Sequence, residues 1–168
     1  MIMSHHIDFE SISWEQFEDL CVDLWFDEGY TNIRPMGRRN EGGRDAIFVD
    51  TELEELTVFQ FKCWSSHYST SALKVMIRKA AEKIVKFGPK KFILNSAHLP
   101  NAAVNDWISE LSGSLGFDIE YWDRSWIDLR LDNNRQDLRN SYFDVEMAHH
   151  TWRSLVSTSK NQLALAIR

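Results

Sequence analysis

Residues 57–64 read TVFQFKCW. Val58, Phe59, Phe61 and Trp64 suit a pleated, buried surface, so the stretch is predicted as a core strand. Gln60 and Lys62 interrupt it. Strand alternation puts Val58, Gln60, Lys62 and Trp64 on one face and Phe59, Phe61 and Cys63 on the other. The amide and the ammonium therefore point the same way. An unpaired buried ammonium is costly, so Lys62 requires a counter-charge or solvent. Two readings meet that requirement. Either this is an edge strand whose lysine guards against aggregation, or one face opens into a site for anions and metal.

The residues upstream bear on the choice. GRRNEGGRD, 37–45, is a Gly-rich loop, and Ala46 to Val49 is the strand after it. The acidic segment 50–56 joins this strand to 57–64 as a hairpin. That pairing brings Asp45 near Gln60 and Lys62. Gly42 and Gly43 just before Asp45 let a phosphate backbone approach closely.

Further out, Ser13 is a plausible N-cap with Gln16 in the capping-box position. Trp14, Phe17, Leu20, Cys21, Leu24 and Trp25 follow at helical spacing, and Gly29 ends this helix. Residues 31–36 read as a short strand limited by Pro35. A second helix over 72–87 has Leu73, Val75 or Met76, Ala80, Ile84 and Phe87 as its apolar side, and Gly88-Pro89 stops it. Strand 91–96, helix 101–115 and strand 117–122 follow. Asp123 or Ser125 caps a helix through Leu131. Residues 135–168 read as largely helical, with no assigned place in the core. One helix, a β-meander, then α-β-α-β predicts an α/β fold with a mixed sheet covered by helices on both faces. Strand signals stop near residue 143. We therefore expect one domain over 1–143, with 144–168 a helical tail or the start of a linker to a further domain.

A chain of 168 residues can bury a core of this kind. Its 43% apolar and 26% charged residues are those of a soluble globular protein. No run reaches the roughly 18 apolar residues of a membrane helix. MIMSHHIDFE lacks the pattern of a signal peptide. Cys21 and Cys63 form no CxxC pair, so they are expected as reduced core thiols in a cytoplasmic protein. The net charge of −6 argues against indiscriminate coating of nucleic acid. The charge is uneven, however. Residues 15–28 carry only acidic groups, whereas 74–91 carry Lys74, Arg78, Lys79, Lys83, Lys86, Lys90 and Lys91 against Glu82.

GGRD followed 15 positions later by QFK resembles the D…(D/E/Q)xK signature of the PD-(D/E)xK nuclease superfamily. The glutamine in the middle position, and Phe17-Glu18 on the first helix, resemble its Mrr-like restriction endonuclease branch. The likeness runs from about residue 9 to 143 and takes in FILNSA and YWDRSWIDL. It implies a three-layer α/β/α restriction-endonuclease-like fold and a metal-dependent DNA endonuclease. Glu18, Asp45, Gln60 and Lys62 would be catalytic. Phosphodiester cleavage needs a hard cation held by oxygens and an activated water. Asp45 would ligate Mg2+ or Mn2+ directly, with the Gln60 oxygen and the Phe61 carbonyl beside it. Glu18 would bind the metal directly or through water. Lys62 would lower the pKa of the attacking water or stabilise charge on the phosphate. Asp45 and Glu18 together supply −2, which balances one such ion.

The resemblance also implies double-stranded DNA as substrate and a role in restriction or anti-phage defence. It implies a homo-oligomer when both strands are cut, and a regulatory or NTPase domain elsewhere in the system. Arg38, Arg39 and Arg44 flank Asp45 as candidate phosphate clamps. Lys79 and Lys83 lie on one helical ridge with Lys86 and are candidate DNA contacts, against the plainer reading of a solvated face. His67 is a weaker phosphate candidate. His5-His6 and His149-His150 lack metal-ligand spacing and read as surface histidines. The rival functions are a non-catalytic binding or assembly module on the same fold, and a junction resolvase or RNA nuclease.

Overall fold

A computed structural model describes residues 7–37, 42–64 and 66–143. The first helix, α1, spans Trp14–Asp27. Ser13 Oγ accepts from the Gln16 N–H, and the Gln16 side chain accepts from the Ser13 N–H, completing the capping box. Strands β1 (Arg34–Pro35), β2 (Ala46–Asp50) and β3 (Glu55–Lys62) form an antiparallel meander. Helix α2 (Thr70–Ile84) leads to β4 (Lys91–Ser96), and α3 (Ala102–Leu115) leads to β5 (Asp118–Trp122). Both connections join parallel neighbours. Helices α4 (Arg124–Asn133) and α5 (Gln136–Phe143) follow. The sheet order is β1-β2-β3-β4-β5, so β3 is its central strand. The edge-strand reading of Lys62 is thereby excluded.

Each face of β3 packs on a separate core. Phe59 and Phe61 join Phe17, Leu20, Cys21, Leu24 and Trp25 of α1, with Trp126, Ile127, Leu131 and Leu138 from α4 and α5. Val58 joins Leu73, Ile77, Ala81 and Ile84 of α2, with Val104, Ile108 and Leu111 of α3. The result is three layers: α1, α4 and α5 on one face of the mixed sheet, α2 and α3 on the other. This is a restriction-endonuclease-like α/β/α fold, as the sequence implied.

Several expectations change in detail. The strand expected over 31–36 shrinks to Arg34–Pro35, because the residues before it form a turn in which the Ile33 N–H donates to the Tyr30 carbonyl at 3.0 Å. On α2 the buried stripe is Leu73, Ile77, Ala80, Ala81 and Ile84, while Val75 is 52% exposed. A 3-10 turn over Val85–Phe87 ends that helix. Trp14, expected on the buried face of α1, is 51% exposed because it occupies the first helical position, at the helix's open end. Asp123 rather than Ser125 caps α4, its carboxylate accepting from the Ser125 N–H.

The acidic run on α1 acquires partners from far along the chain. Arg130 pairs with Glu28 at 2.6 Å, and Arg135 with Asp27 at 2.5 Å. Tyr142 donates to Asp23, and its hydroxyl is pushed up in pKa by burial and the Asp23 charge. Leu138 joins the core, and the Phe143 ring meets Phe9 edge-on at 5.3 Å. Residues 136–143, unplaced from sequence, are thus docked on α1. The expected tail 144–168 lies outside the described residues.

Candidate active site

The candidate residues Asp45, Gln60 and Lys62 lie toward the C-terminal end of β3. The β2–β3 ladder pairs Ala46 with Phe59, and Asp45 sits one residue before β2 begins. Its N–H donates to the Phe59 carbonyl at 2.9 Å, and its carbonyl accepts from the Met36 N–H at 2.8 Å. Where the ladder stops, the Phe61 N–H would lose its strand partner. The Asp45 carboxylate supplies one instead: Oδ2 accepts from Phe61 N at 2.6 Å. The carboxyl is nonetheless held above its ordinary pKa. Burial raises it, and the Phe61 N–H and the Lys62 charge only partly offset that.

Gln60 lies on the α2 side of β3 and is 2% exposed. Its Oε1 is buried and has no hydrogen-bond partner among the described residues. Lys62, the last residue of β3, is half-buried and acts electrostatically on Asp45. Gly43, at φ +87°, passes so close that a Cβ there would lie 3.4 Å from Gln60 Nε2 and 3.5 Å from Lys83 Cβ. The hairpin thus brings Asp45, Gln60 and Lys62 together.

Glu18 enters from the other layer. It is half-buried on α1, three residues before Cys21 and seven before Trp25, on one helical stripe. The Cys21 thiol is fully buried, and burial pushes its pKa well up. Cys63, Asp45 and Glu18 push it the same way. Cys21 packs in one core with Ala46, Phe59 and Phe61, so α1 meets the hairpin there, and Glu18 lies one helical turn away. Cys21 and Cys63 are both free thiols.

Among the described residues, no three His, Cys, Asp or Glu side chains gather as a metal cluster. A cation here would rest on Asp45 and neutral oxygens, with Glu18 the further acidic group offered from α1. An oxygen-rich set with one unpartnered buried acceptor fits a hard divalent ion such as Mg2+ better than a soft one.

The candidate DNA contacts divide. Arg38 and Arg39 lie outside the described residues, as do both His-His pairs. The Arg44 guanidinium stacks over the Phe87 ring, 3.8 Å from its centroid. Lys79 and Lys83 are exposed on α2, and Lys83 borders the Gly43 turn. Lys74 and Arg78 instead reach over Trp107 of α3. His67 is exposed and stacks 6.0 Å from His98.

Several polar residues near this end escaped the sequence reading. Asn95 is fully buried beside Phe61, and its Oδ1 accepts from Trp25 Nε1 at 2.5 Å. Ser96 shares a 2.8 Å hydrogen bond with the Tyr121 hydroxyl. His98, 2% exposed, accepts from the Tyr68 N–H at Nε2 while Nδ1 meets the Leu99 carbonyl. This fixes the loop that follows Lys62. The signal was present in FILNSAHLP, an apolar strand that turns polar at its C-terminal end.

No curated protein matches the chain. Residues 9–119, about two thirds of the chain, match the Mrr_cat family, described as restriction endonuclease. The matched span runs from before α1 to the start of β5 and contains Glu18, Asp45, Gln60 and Lys62. The chain therefore belongs to the Mrr-type restriction endonuclease family of the PD-(D/E)xK superfamily.

Proposed function

We propose that this chain is the catalytic domain of a metal-dependent DNA endonuclease acting in restriction or anti-phage defence. The observation that carries the reading is the buried Gln60 Oε1, which has no partner among the described residues, on the strand whose Lys62 acts on the Asp45 carboxylate. Burying an acceptor without a partner costs about 1–3 kcal/mol, so its place in a central strand calls for a ligand. Asp45 would hold the cation through the oxygen that Phe61 N–H does not occupy, with Gln60 Oε1 and the Phe61 carbonyl completing the protein side. Glu18 would contribute from α1, directly or through water. When bound, Mg2+ or Mn2+ supplies Lewis-acid polarisation of the phosphate and a more acidic water.

The chain's own groups do the rest. The Phe61 N–H fixes the rotation of the Asp45 carboxylate. Lys62 places an ammonium where negative charge develops on the phosphate, or beside the attacking water. Gly42 and Gly43 pack closely against Phe87, Gln60 and Lys83, so the loop's protein contacts, rather than room for a phosphate, account for both glycines. Arg38, Arg39 and Arg44, with Lys79 and Lys83, would hold the DNA backbone. Residues 1–143 would form the nuclease domain, with 144–168 leading to a regulatory partner or domain. Cleavage of both strands would require a homo-oligomer.

The test is cleavage of supercoiled plasmid with Mg2+ or Mn2+, with and without EDTA, by wild type, Asp45→Ala and Lys62→Ala. Wild type is expected to nick or linearise the plasmid only with metal, and both variants to fall by at least about 100-fold. Cleavage by both variants at the wild-type rate would refute the assignment.

A further inference from the structure

Asp45 is reached through two glycines that the chain must hold still. Gly42 (φ +66°) and Gly43 (φ +87°) both adopt left-handed conformations, where glycine has the most freedom to lose. Downstream, Asp45 is anchored by its backbone bonds to Phe59 and Met36. Upstream, the anchor is the 3-10 turn that ends α2. Gly42 lies so close to it that an added Cβ would meet Phe87 Cζ at 2.9 Å. Arg44 covers the face of the same ring at 3.8 Å, and the Lys86 ammonium stands 5.1 Å from its centroid. Phe87 itself packs against the α2–α3 core.

We propose that Phe87 is a positioning residue for Asp45. Its edge receives Gly42 and its face holds the Arg44 guanidinium, so the residue immediately before Asp45 is tied to the rigid end of α2. Planar stacking of Arg on an aromatic ring is what gives this tie a direction as well as an attraction. The role rests on the reading of Asp45 as a metal ligand. A group that orients a ligand without touching the metal changes affinity by roughly 10–100-fold when lost.

Phe87→Leu keeps an apolar side chain and removes the π face, whereas Phe87→Trp keeps the face. Mn2+ binding is titrated by electron paramagnetic resonance without DNA, so a lost phosphate contact cannot account for the result. Melting midpoints are measured in EDTA. We expect Phe87→Leu to bind Mn2+ about tenfold more weakly with its midpoint held, and Phe87→Trp to restore binding. Arg44→Lys keeps the charge but not the planar stack, and is expected to match Phe87→Leu; it carries the test if Phe87→Leu does not fold. Wild-type affinity in these variants, with binding lost in Asp45→Ala, overturns the positioning role. Wild-type affinity in Asp45→Ala overturns the site reading beneath it. A matched fall of midpoint in Phe87→Leu and Phe87→Trp makes the ring a core residue alone and overturns the proposal too.

Discussion

Gln60→Met should stabilise the metal-free protein and abolish its response to metal. Met follows the same straight path as Gln but carries no amide, so it removes the buried Oε1 that has no partner among the described residues. An unsatisfied buried acceptor costs about 1–3 kcal/mol. The gain should fall near the lower bound, because the Nε2 end abuts Gly43 and its contacts are lost as well. About 1 kcal/mol raises the melting midpoint by roughly 2–4 °C in a chain of this size. Saturating Mg2+ then reverses the order. Wild type gains RT ln(1 + [L]/Kd), about 2.7 kcal/mol at a hundredfold excess over Kd. The variant, lacking one oxygen ligand, gains far less. Urea denaturation in EDTA and in Mg2+ measures both limbs. A variant less stable than wild type in EDTA would show that the amide serves the apo fold. Equal gains from Mg2+ in the two proteins would show that Gln60 holds no metal.

Asp45→Asn should flatten part of the pH dependence of the metal-free chain. Burial raises the Asp45 carboxyl above 3.8 in the fold, so its contribution to stability is fully present below 3.8 and is lost as pH rises through the folded value. Denaturation followed in EDTA across that window checks the sign; an unchanged slope contradicts it. Trp25→Phe removes the donor to Asn95 Oδ1, leaving a fully buried amide whose Nδ2 already lacks a partner among the described residues. A loss of about 1–3 kcal/mol is expected in urea denaturation, largely recovered in Trp25→Phe/Asn95→Leu. Leu138→Ala should cost about 2 kcal/mol or more if α5 is part of the folded domain. A change within about 0.5 kcal/mol would detach α5 from it.

What the sequence made legible follows the range of the forces involved. Capping at Ser13 and the bounds of β4 are decided by residues within a few positions, and both were readable. The Asp45–Gln60–Lys62 grouping was readable too, because a hairpin is local and alternation fixes its faces. Ile77 was missed on α2 because Val75, Met76 and Ile77 are all apolar, and composition cannot choose the phase of the stripe. The acidic run on α1 stayed unexplained because its partners, Arg130 and Arg135, lie 102 and 108 residues away. Asn95 and His98 were overlooked because β4 reaches β3 only across α2. Their polarity was visible, but their partners were not.

The buried polar groups at this end of the sheet separate into two kinds, and the difference bears on function. Ser96 and His98 have partners for the atoms they bury, in Tyr121, Tyr68 and Leu99, so they shape the fold at little net cost. Among the described residues, Gln60 Oε1 and Asn95 Nδ2 do not. A chain selected for stability alone would replace both with aliphatic residues, since each carries a penalty of about 1–3 kcal/mol. Retention therefore needs a reason, and the surroundings supply different ones. Asn95 already accepts from Trp25, whose ring stacks on Trp126 at 4.6 Å, so its amide is accounted for by fixing the indole beneath α1. Among the described residues, Gln60 Oε1 fixes nothing. It is the one of the two on the strand that ends in Lys62 and pairs with the Asp45 hairpin, where the cation proposed above would satisfy it.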